Sequence, residues 1–272
     1  MSGAHVRFAV VMGCSFAAAC LCCGCSGPPT GEPIQVCICK DVQLHDAREN
    51  VDGVRLTLWS GSNKRVNGLD LGLVMSQCAE MNGLQVTALM NSVCEPVDLP
   101  FLIPFTGTMR GVQIGGLVNL VGWDWWGLQA AGLLNMGAGS GVQVAGLANL
   151  ADSWSPPTFT FQAALVLNAA GETTGAQIGS LCLAEALRGL QVGAVNVCDK
   201  KERFALDEAP PGTMAGVQIG LGNYAKEHKG LQVALYNHAK KHRGVQIGLI
   251  NIAPDQAIPF LPIIHPGLWP KN

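Results

Sequence analysis

The chain has 272 residues, of which 49% are hydrophobic and 13% are charged, and its 17 Lys and Arg nearly balance its 19 Asp and Glu. This balance excludes the basic surface that nucleic-acid binding requires, so we expect no nucleic-acid partner. The length fits one large domain or two small ones, and the uninterrupted repeat described below favours one.

The N-terminus has the pattern of a secretory leader. Arg7 precedes an apolar run at residues 8–19, and this run is too short to cross a bilayer as a helix. Small residues end the run directly before Cys20, as in a bacterial lipobox, where the Cys is lipidated and becomes the new N-terminus. We therefore predict a lipoprotein signal peptide at residues 1–19, with an ordinary cleaved signal peptide as the alternative.

A second lipidation candidate is Cys25, because the SGPPTGEP segment that follows it is typical of a flexible stalk. The sequence thus predicts a lipidated tether and N-terminal cap at residues 20–52. One acylated Cys, carrying palmitate for example, would attach an otherwise soluble domain to a membrane surface.

From residue 53 onwards one phrase recurs: Gly, apolar, Gln, apolar, Gly or Ala, apolar, Asn. A repeat this regular dictates the architecture. Most steps from one copy to the next are nearly equal, and two steps of about twice the usual length each hold an insertion. Arg55 and Asp70 stand where Gln stands later, which suggests that the first two copies are capping units. The copies begin at Gly53, Gly68, Gly83, Gly111, Gly127, Gly141, Thr160, Gly175, Gly189, Gly216, Gly230 and Gly244.

Apolar residues flank each Gln, as Val112 and Ile114 flank Gln113, and this period-two alternation indicates a β-strand. Asn follows Gln by six residues in early copies and by five in late ones, so a bend at the Gly/Ala pair is needed between two short strands. The sequence predicts an all-β fold, a parallel β-solenoid of about twelve 14–15-residue coils at residues 53–253. Gln would stack on Gln and Asn on Asn at about 4.8 Å, around a thin apolar core, in a rod of about 60 Å. A Pro-rich C-terminal cap follows at residues 254–272.

The alternative fold is an antiparallel β-meander closed into a barrel, which would act as an outer-membrane pore or transporter. Twelve copies give the even strand number that such barrels have. The chain contains only 6% aromatic residues, however, too few for the usual aromatic girdles. Antiparallel neighbours would also leave the alignment of Gln with Gln unexplained.

Four insertions follow the Asn of their copy, at residues 95–110, 121–126, 151–159 and 199–215. They therefore enter at the same turn and line one edge, and such an edge often marks the binding face of a solenoid. Clustered aromatic residues on its first half suit contact with a protein, a glycan or a membrane interface, although they could instead pack on one another. The candidates are Phe101, Phe105, Trp123, Trp125, Trp126 and Trp154.

The second half of this edge is basic. Lys226 and His228 recur one coil later as Lys240 and His242, so each pair should stack. This arrangement suits anion binding or a response to pH, while a solvated turn that discourages edge pairing is the plainer interpretation.

Two cysteine pairs, Cys78 with Cys94 and Cys182 with Cys198, are each separated by about one coil. Stacked coils would bring them within bridging distance, so we predict two disulfides in an exported chain. Buried free thiols are the alternative.

The sequence supports no catalytic residues, metal site or cofactor, since it lacks the common hydrolase, zinc-protease and phosphate-loop motifs. We therefore expect a protein that is not an enzyme. A solenoid enzyme acting on glycans is the least favoured alternative, because no acidic cluster is evident on one edge.

The segment GLQVALYNHAKKHRGVQIGLINIA at residues 230–253, followed by PFLPII, resembles the surface-repeat lipoproteins of spirochaetes and some gut anaerobes, which repeat phrases of the GLQIGLxN type. The resemblance covers residues 53–264. It implies a bacterial cell-envelope protein and brings no catalytic residues. The many cysteines and Trp-rich insertions depart from that pattern.

Together these features predict a lipid-anchored protein of the outer membrane or cell surface. It would act as a structural or adhesive binding module through its loop edge, with a protein or glycan partner.

Overall fold

The computed structural model describes residues 31–39, 42–95, 106–122, 124–151, 158–199, 212–268 and 270. These residues form twenty β-strands in one sheet and no helix. Within them, nothing helical has the length and hydropathy to span a bilayer. The strands are β1 (Glu32–Cys39), β2 (Val42–Gln43), β3 (Asn50–Thr57), β4 (Ser60–Gly72), β5 (Met75–Thr87), β6 (Met90–Val93), β7 (Thr108–Gly115), β8 (Val118–Val121), β9 (Asp124–Ala131), β10 (Leu134–Met136), β11 (Gly139–Ala145), β12 (Ala148–Ala151), β13 (Thr158–Ala164), β14 (Leu167–Ile178), β15 (Leu181–Val192), β16 (Val195–Cys198), β17 (Thr213–Ile219), β18 (Gly222–Val233), β19 (Tyr236–Ile252) and β20 (Phe260–Pro266).

Parallel pairing in register defines the architecture. In β9 and β11, Gln129 lies beside Gln143, while in β10 and β12 Asn135 lies beside Asn149. The same columns continue to β19, where Gln246 lies beside Gln232 and Asn237 beside Asn223. The predicted parallel β-solenoid of about twelve turns is confirmed. The antiparallel meander is wrong, because like residues stack only when neighbouring strands run in the same direction.

Eleven of the twelve coils begin with a glycine at a tight corner. Gly127 has φ 138°, and a Cβ atom there would lie 1.9 Å from the carbonyl oxygen of Gly111. Only glycine tolerates both this backbone conformation and such close stacking. Thr160 begins the remaining coil without a positive φ, so the corner at that coil is turned in another backbone conformation.

The polarity of the coil is the reverse of the prediction. Gln113 and Asn119 point inward and are buried, whereas Ile114 and Leu117 beside them point outward and are exposed. The apolar residues that flank Gln therefore do not fill a thin core. The interior of the two strands is instead a pair of amide columns.

An apolar core does exist, at the edge of the coil that precedes the corner glycine. The side chains there are stacked and buried. One cluster contains Val51, Val66, Cys78, Met81, Val93, Met109, Val121 and Trp125, and a second contains Ala184, Leu187, Cys198, Met214 and Ala225. Beside its two amide columns, the thin coil thus has two apolar interior columns, one two residues after Asn and one two residues before the corner glycine.

The rod has two contrasting sides. The loop edge comprises the residues just before each corner glycine together with the insertions. The ridge is the opposite turn, a column joined by backbone hydrogen bonds that includes Trp59, Leu89, Leu117, Leu133, Leu147, Leu221 and Leu235. A flat face connects the two on each side.

Both ends of the rod carry strands outside the twelve repeats. At the N-terminal end β1 continues the parallel stack, with Gln35 beside Arg55. At the C-terminal end β20 runs antiparallel to β19, with His265 beside Gln246. These strands cover the first and last coils, whose backbone groups would otherwise be open to pairing with another chain.

Candidate functional site

The insertions leave the coil at a single column. In β6, β8, β12 and β16 the last strand residues are Val93, Val121, Ala151 and Cys198, which occupy equivalent positions in the stack. Coils without an insertion continue through this point as one strand, for example in β18. The loop edge is thus a property of the fold. Four candidates in the insertions, Phe101, Phe105, Trp123 and Trp154, lie outside the described residues.

Two exposed aromatic side chains lie in one outward column of the loop edge. Trp126 is 68% exposed and Phe159 is 61% exposed. The register places Arg110, Trp126, Ser140 and Phe159 in successive coils. With about 4.8 Å per coil, the two rings project about 10 Å apart on the same side of the rod. The sequence placed both Trp126 and Phe159 on this edge, but not in one outward column.

Trp125 is not a contact residue, and that part of the prediction is wrong. It is fully buried below Met109 in the apolar column. The glycine-rich segment after it makes room, since a Cβ on Gly137 would lie 2.9 Å from Trp125 Cδ1 and one on Gly141 2.5 Å from Trp125 Cζ3. Alternation along β9 turns one tryptophan inward and the next outward.

The basic segment forms ion pairs with neighbouring coils. Lys226 Nζ lies 3.0 Å from Asp199 Oδ1, and Lys241 Nζ lies 2.8 Å from Glu227 Oε1. Lys240 is exposed in the same register as Lys226. This part of the loop edge is therefore a ladder of mixed charge rather than a purely basic surface.

His228 and His242 do stack, with ring centroids 5.5 Å apart and an interplanar angle of 17°. Both are fully buried in the column that Leu187 and Met214 occupy in earlier coils, so their placement on an exposed basic edge is wrong. Burial, with the neighbouring His242 adding to it, lowers the pKa of His228 to about 3. His265 from the cap strand completes the stack at 5.8 Å from His242. His265 could not be predicted from the repeat, because an antiparallel cap leaves no repeat signal.

The two predicted disulfides are wrong, and all four thiols are free. The members of each pair are spaced slightly further apart than one local coil, so they fall out of register. Cys78 faces Val93 instead of Cys94, and Cys182 faces Asn196, two positions from Cys198. Burial raises the pKa of Cys78 and of Cys198 to about 12, so both are held as thiols.

The glutamine column is a continuous hydrogen-bond ladder. Gln113 Nε2 donates to Gln85 Oε1 at 2.9 Å, and Gln129 Nε2 donates to Gln113 Oε1 at 2.9 Å. The same contact repeats up to Gln246, which donates to Gln232. At the first coils the ladder ends on a buried ion pair: Gln85 donates to Asp70, which also binds Arg55 Nη2 at 2.6 Å. The predicted amide stacking is present throughout these coils.

The asparagine column runs in the opposite sense. Asn119 Nδ2 donates forward to Asn135 Oδ1 at 2.9 Å and also to the backbone carbonyl of Ala130 at 2.7 Å. The ladder is interrupted where Cys182 replaces Asn, and Asn196 Oδ1 then lacks a partner. Each asparagine thus links neighbouring coils and also holds a carbonyl close to the ridge.

One cluster that sequence reasoning missed lies in the N-terminal cap. His45 lies between two carboxylates, 3.7 Å from Glu32 and 3.5 Å from Glu49. Their ligand atoms are close enough together to hold a cation. The four-residue spacing of His45 and Glu49 was the one visible signal, because Glu32 joins them only through the pairing of β1.

The lipidation candidates Cys20 and Cys25 lie outside the described residues. No family model, curated protein or solved structure matches the chain. The candidate site is therefore defined by its own geometry: a rigid rod in which the loops and the exposed charges share one edge with Trp126 and Phe159.

Proposed function

We propose that the protein is a lipid-anchored module of the bacterial cell envelope that binds a protein or glycan partner through its loop edge. The leader and Cys20 support the anchor. The segregation of the loops, of Trp126 and Phe159, and of the charged side chains onto one edge supports the binding role. This segregation is the single observation on which the proposal depends.

The charge distribution makes the loop edge chemically distinct. From the corner glycine to the residue after Asn, the twelve coils contain only two Asp, Glu, Lys or Arg residues. These are Arg55 and Asp70, which are buried against each other. Within the part of the chain that the structure describes, the other charged side chains of the repeats lie on the loop edge, which is therefore the side suited to recognition by charge.

Rigidity is what the interior contributes. Two amide ladders and paired backbones fix the spacing of positions along the edge, so the backbones of Trp126 and Phe159 are held in place before a partner arrives. A fixed backbone reduces the entropy that these residues lose on binding. They are also the residue types that most often dominate binding energy.

The proposal predicts that Trp126→Ala with Phe159→Ala weakens binding to a lipid-free extract of envelope proteins and glycans by at least tenfold, as measured by surface plasmon resonance. The matched control is Leu133→Ala with Leu147→Ala on the ridge, which should leave that affinity unchanged. Unchanged binding by the aromatic double variant would contradict the loop-edge assignment. Deleting residues 123–126 is unsuitable, because it removes the buried Trp125.

Attachment is tested separately by feeding cells a labelled palmitate. Label should enter the wild-type chain and be lost in Cys20→Ala, whereas loss in Cys25→Ala alone would assign the acceptor to Cys25. Absence of label from the wild-type protein would contradict the lipid anchor.

A further inference from the structure

The outer surface away from the loop edge is largely apolar, with Ser180 on the ridge and His238 on one face as polar exceptions. Ile114, Val144 and Ile219 are exposed on one face, and Val195 and Tyr236 are exposed on the other. Along the ridge between them, Leu221 is 60% exposed and Leu235 is 55% exposed. Soluble proteins rarely expose a contiguous apolar patch of more than a few hundred Å², so a surface of this extent indicates a partner.

The backbone of the ridge is adapted to a site without water. Leu133 N donates to Leu117 O at 2.9 Å, and Leu147 N donates to Leu133 O at 3.0 Å. Buried asparagine side chains also bind neighbouring carbonyls from inside the coil, as Asn135 Nδ2 does to Val144 O at 2.8 Å. Exposed turns in water can leave such groups to the solvent, whereas in hydrocarbon each must be satisfied within the protein. The backbone groups of the ridge are therefore already paired, as contact with acyl chains requires, and the same in-register stacking pairs the rest of the coil.

The shape of the apolar surface identifies its occupant. It continues from one face over the ridge to the other, so a flat protein partner, which packs against one sheet face, would leave the rest exposed. A fluid layer of acyl chains covers both faces and the ridge together. A shallow groove of about 780 Å³ between Leu165, Ile178 and Leu221, floored by small residues such as Gly179 and Gly193, adds space for a chain.

We propose that the ridge and its two adjoining faces are embedded in the acyl layer of one membrane leaflet, with the rod parallel to the membrane and the loop edge directed to water. This goes beyond the binding role of the loop edge, because it assigns the opposite side of the molecule to lipid. It also does not require the lipid on Cys20. A lipid at the N-terminus would keep the protein close to the membrane, and the apolar surface of the rod would set its orientation there.

The test uses the full chain with Cys20→Ser and Cys25→Ser, so that no acyl group is attached, and vesicles of phosphatidylcholine with brominated acyl chains. Bromine quenches tryptophan only at acyl depth. Trp59 lies on the ridge and is 65% exposed, whereas Trp126 lies on the loop edge. Quenching should persist in Trp126→Phe and lose its largest share in Trp59→Phe. The reverse result, or no quenching in the starting protein, would overturn the proposal.

A matched pair of charge variants tests the surface itself in a flotation assay on the same neutral vesicles. Leu147→Lys with Leu221→Lys places two charges on the ridge, and we expect vesicle binding to fall at least tenfold. Asn82→Lys with Thr174→Lys adds the same charge on exposed loop-edge positions and should leave binding unchanged. An equal loss of vesicle binding in both pairs of variants would overturn the proposal. A dimer that buries the ridge and does not bind vesicles would also overturn it. Circular dichroism of each variant verifies the fold, and the partially exposed leucines allow lysine to reach solvent.

Discussion

A single residue interrupts the asparagine ladder, and its thiol is a poor substitute for an amide. Cys182 Sγ lies 4.0 Å from Asn168 Nδ2 and 3.6 Å from the carbonyl of Val192. In other coils the asparagine amide bonds to both kinds of group at about 2.9 Å. The buried Oδ1 of Asn196 consequently has no donor. An unpaired buried acceptor of this kind costs about 1–3 kcal/mol.

We therefore predict that Cys182→Asn stabilises the protein by about 1 kcal/mol, because it restores the hydrogen bond to Asn196. The midpoint of thermal unfolding should rise by about 2–4 °C. The control is Cys198→Asn, the same exchange in the apolar column beside Ala184, where an unsatisfied amide should cost about 1–3 kcal/mol. A fall in the midpoint for Cys182→Asn would contradict the continuous-ladder interpretation.

The buried histidine pair makes stability depend on pH. Burial lowers the pKa of His228 to about 3 from its ordinary value of 6.5, so the folded protein favours the neutral ring. The unfolded chain takes up a proton first as pH falls, and stability is lost from about pH 6.5 downwards. At pH 5 the loss from this residue is about 2 kcal/mol. Burial also lowers the pKa of His242, beside His265 and Asp255, in the same direction.

His228→Met, which copies Met214 in the preceding coil, should flatten the pH dependence of the unfolding midpoint between pH 7.5 and 5. The midpoint at pH 7.5 should stay the same or rise, since the ring nitrogens of His228 have no hydrogen-bond partner. His238→Gln is the control, because His238 is only partly buried and should change the slope less. An unaltered slope in His228→Met would contradict this assignment.

At the scale of the element, β9 and the glycine-rich segment before β11 fit together around one large side chain. A Cβ atom added to Gly137 would lie 2.9 Å from Trp125 Cδ1 and 3.1 Å from Val121 Cβ. The glycines thus leave space for an indole that no other coil contains in this column. Their role is packing rather than ligand binding.

Gly137→Ala should cost about 1–3 kcal/mol through overpacking against the indole. In a Trp125→Met background, which copies Met109 in the adjacent coil, the same substitution should cost less. A double-mutant cycle by urea unfolding should give a coupling of about 1 kcal/mol. Gly222→Ala, where a Cβ meets nothing within 4 Å, is the neutral control. Zero coupling would show that the glycines are there for another reason.

The sequence predicted the coil and its direction but not which side of the strand faces inward. Val112, Gln113 and Ile114 alternate with period two whichever face is buried, and the usual rule places Val and Ile inside. Two amide columns fit inside so short a coil because each amide forms hydrogen bonds with the amides of the coils above and below. The sequence of a single coil does not show these bonds. The orientations of Trp125 and Cys94 could not be predicted for a similar reason. Their orientations depend on where an insertion rejoins the strand and on the length of the local coil.

In the whole molecule, the strands direct polar amides inward and apolar side chains outward, which is the reverse of the usual arrangement. The amide ladders make the interior polar and specific, while the outer faces contact lipid in our proposal. Stability in such a rod is a sum over neighbouring coils, because each coil contacts only the coils above and below it. Loops can therefore be inserted at the loop edge without disturbing the ladders, and all four insertions leave the coil at the same stacked position.

This view predicts that a complete extra coil is tolerated and a shortened one is not. Duplicating residues 230–243 in tandem adds one complete unit with its own Gln232 and Asn237, so both ladders lengthen by one rung. The rod should grow by about 4.8 Å, detectable by small-angle scattering, and the unfolding midpoint should stay the same or rise. Duplicating only residues 231–243 shifts the register by one and turns the next Gln outward. That variant should unfold at a clearly lower temperature, and equal stability of the two insertions would contradict a register fixed by the ladders.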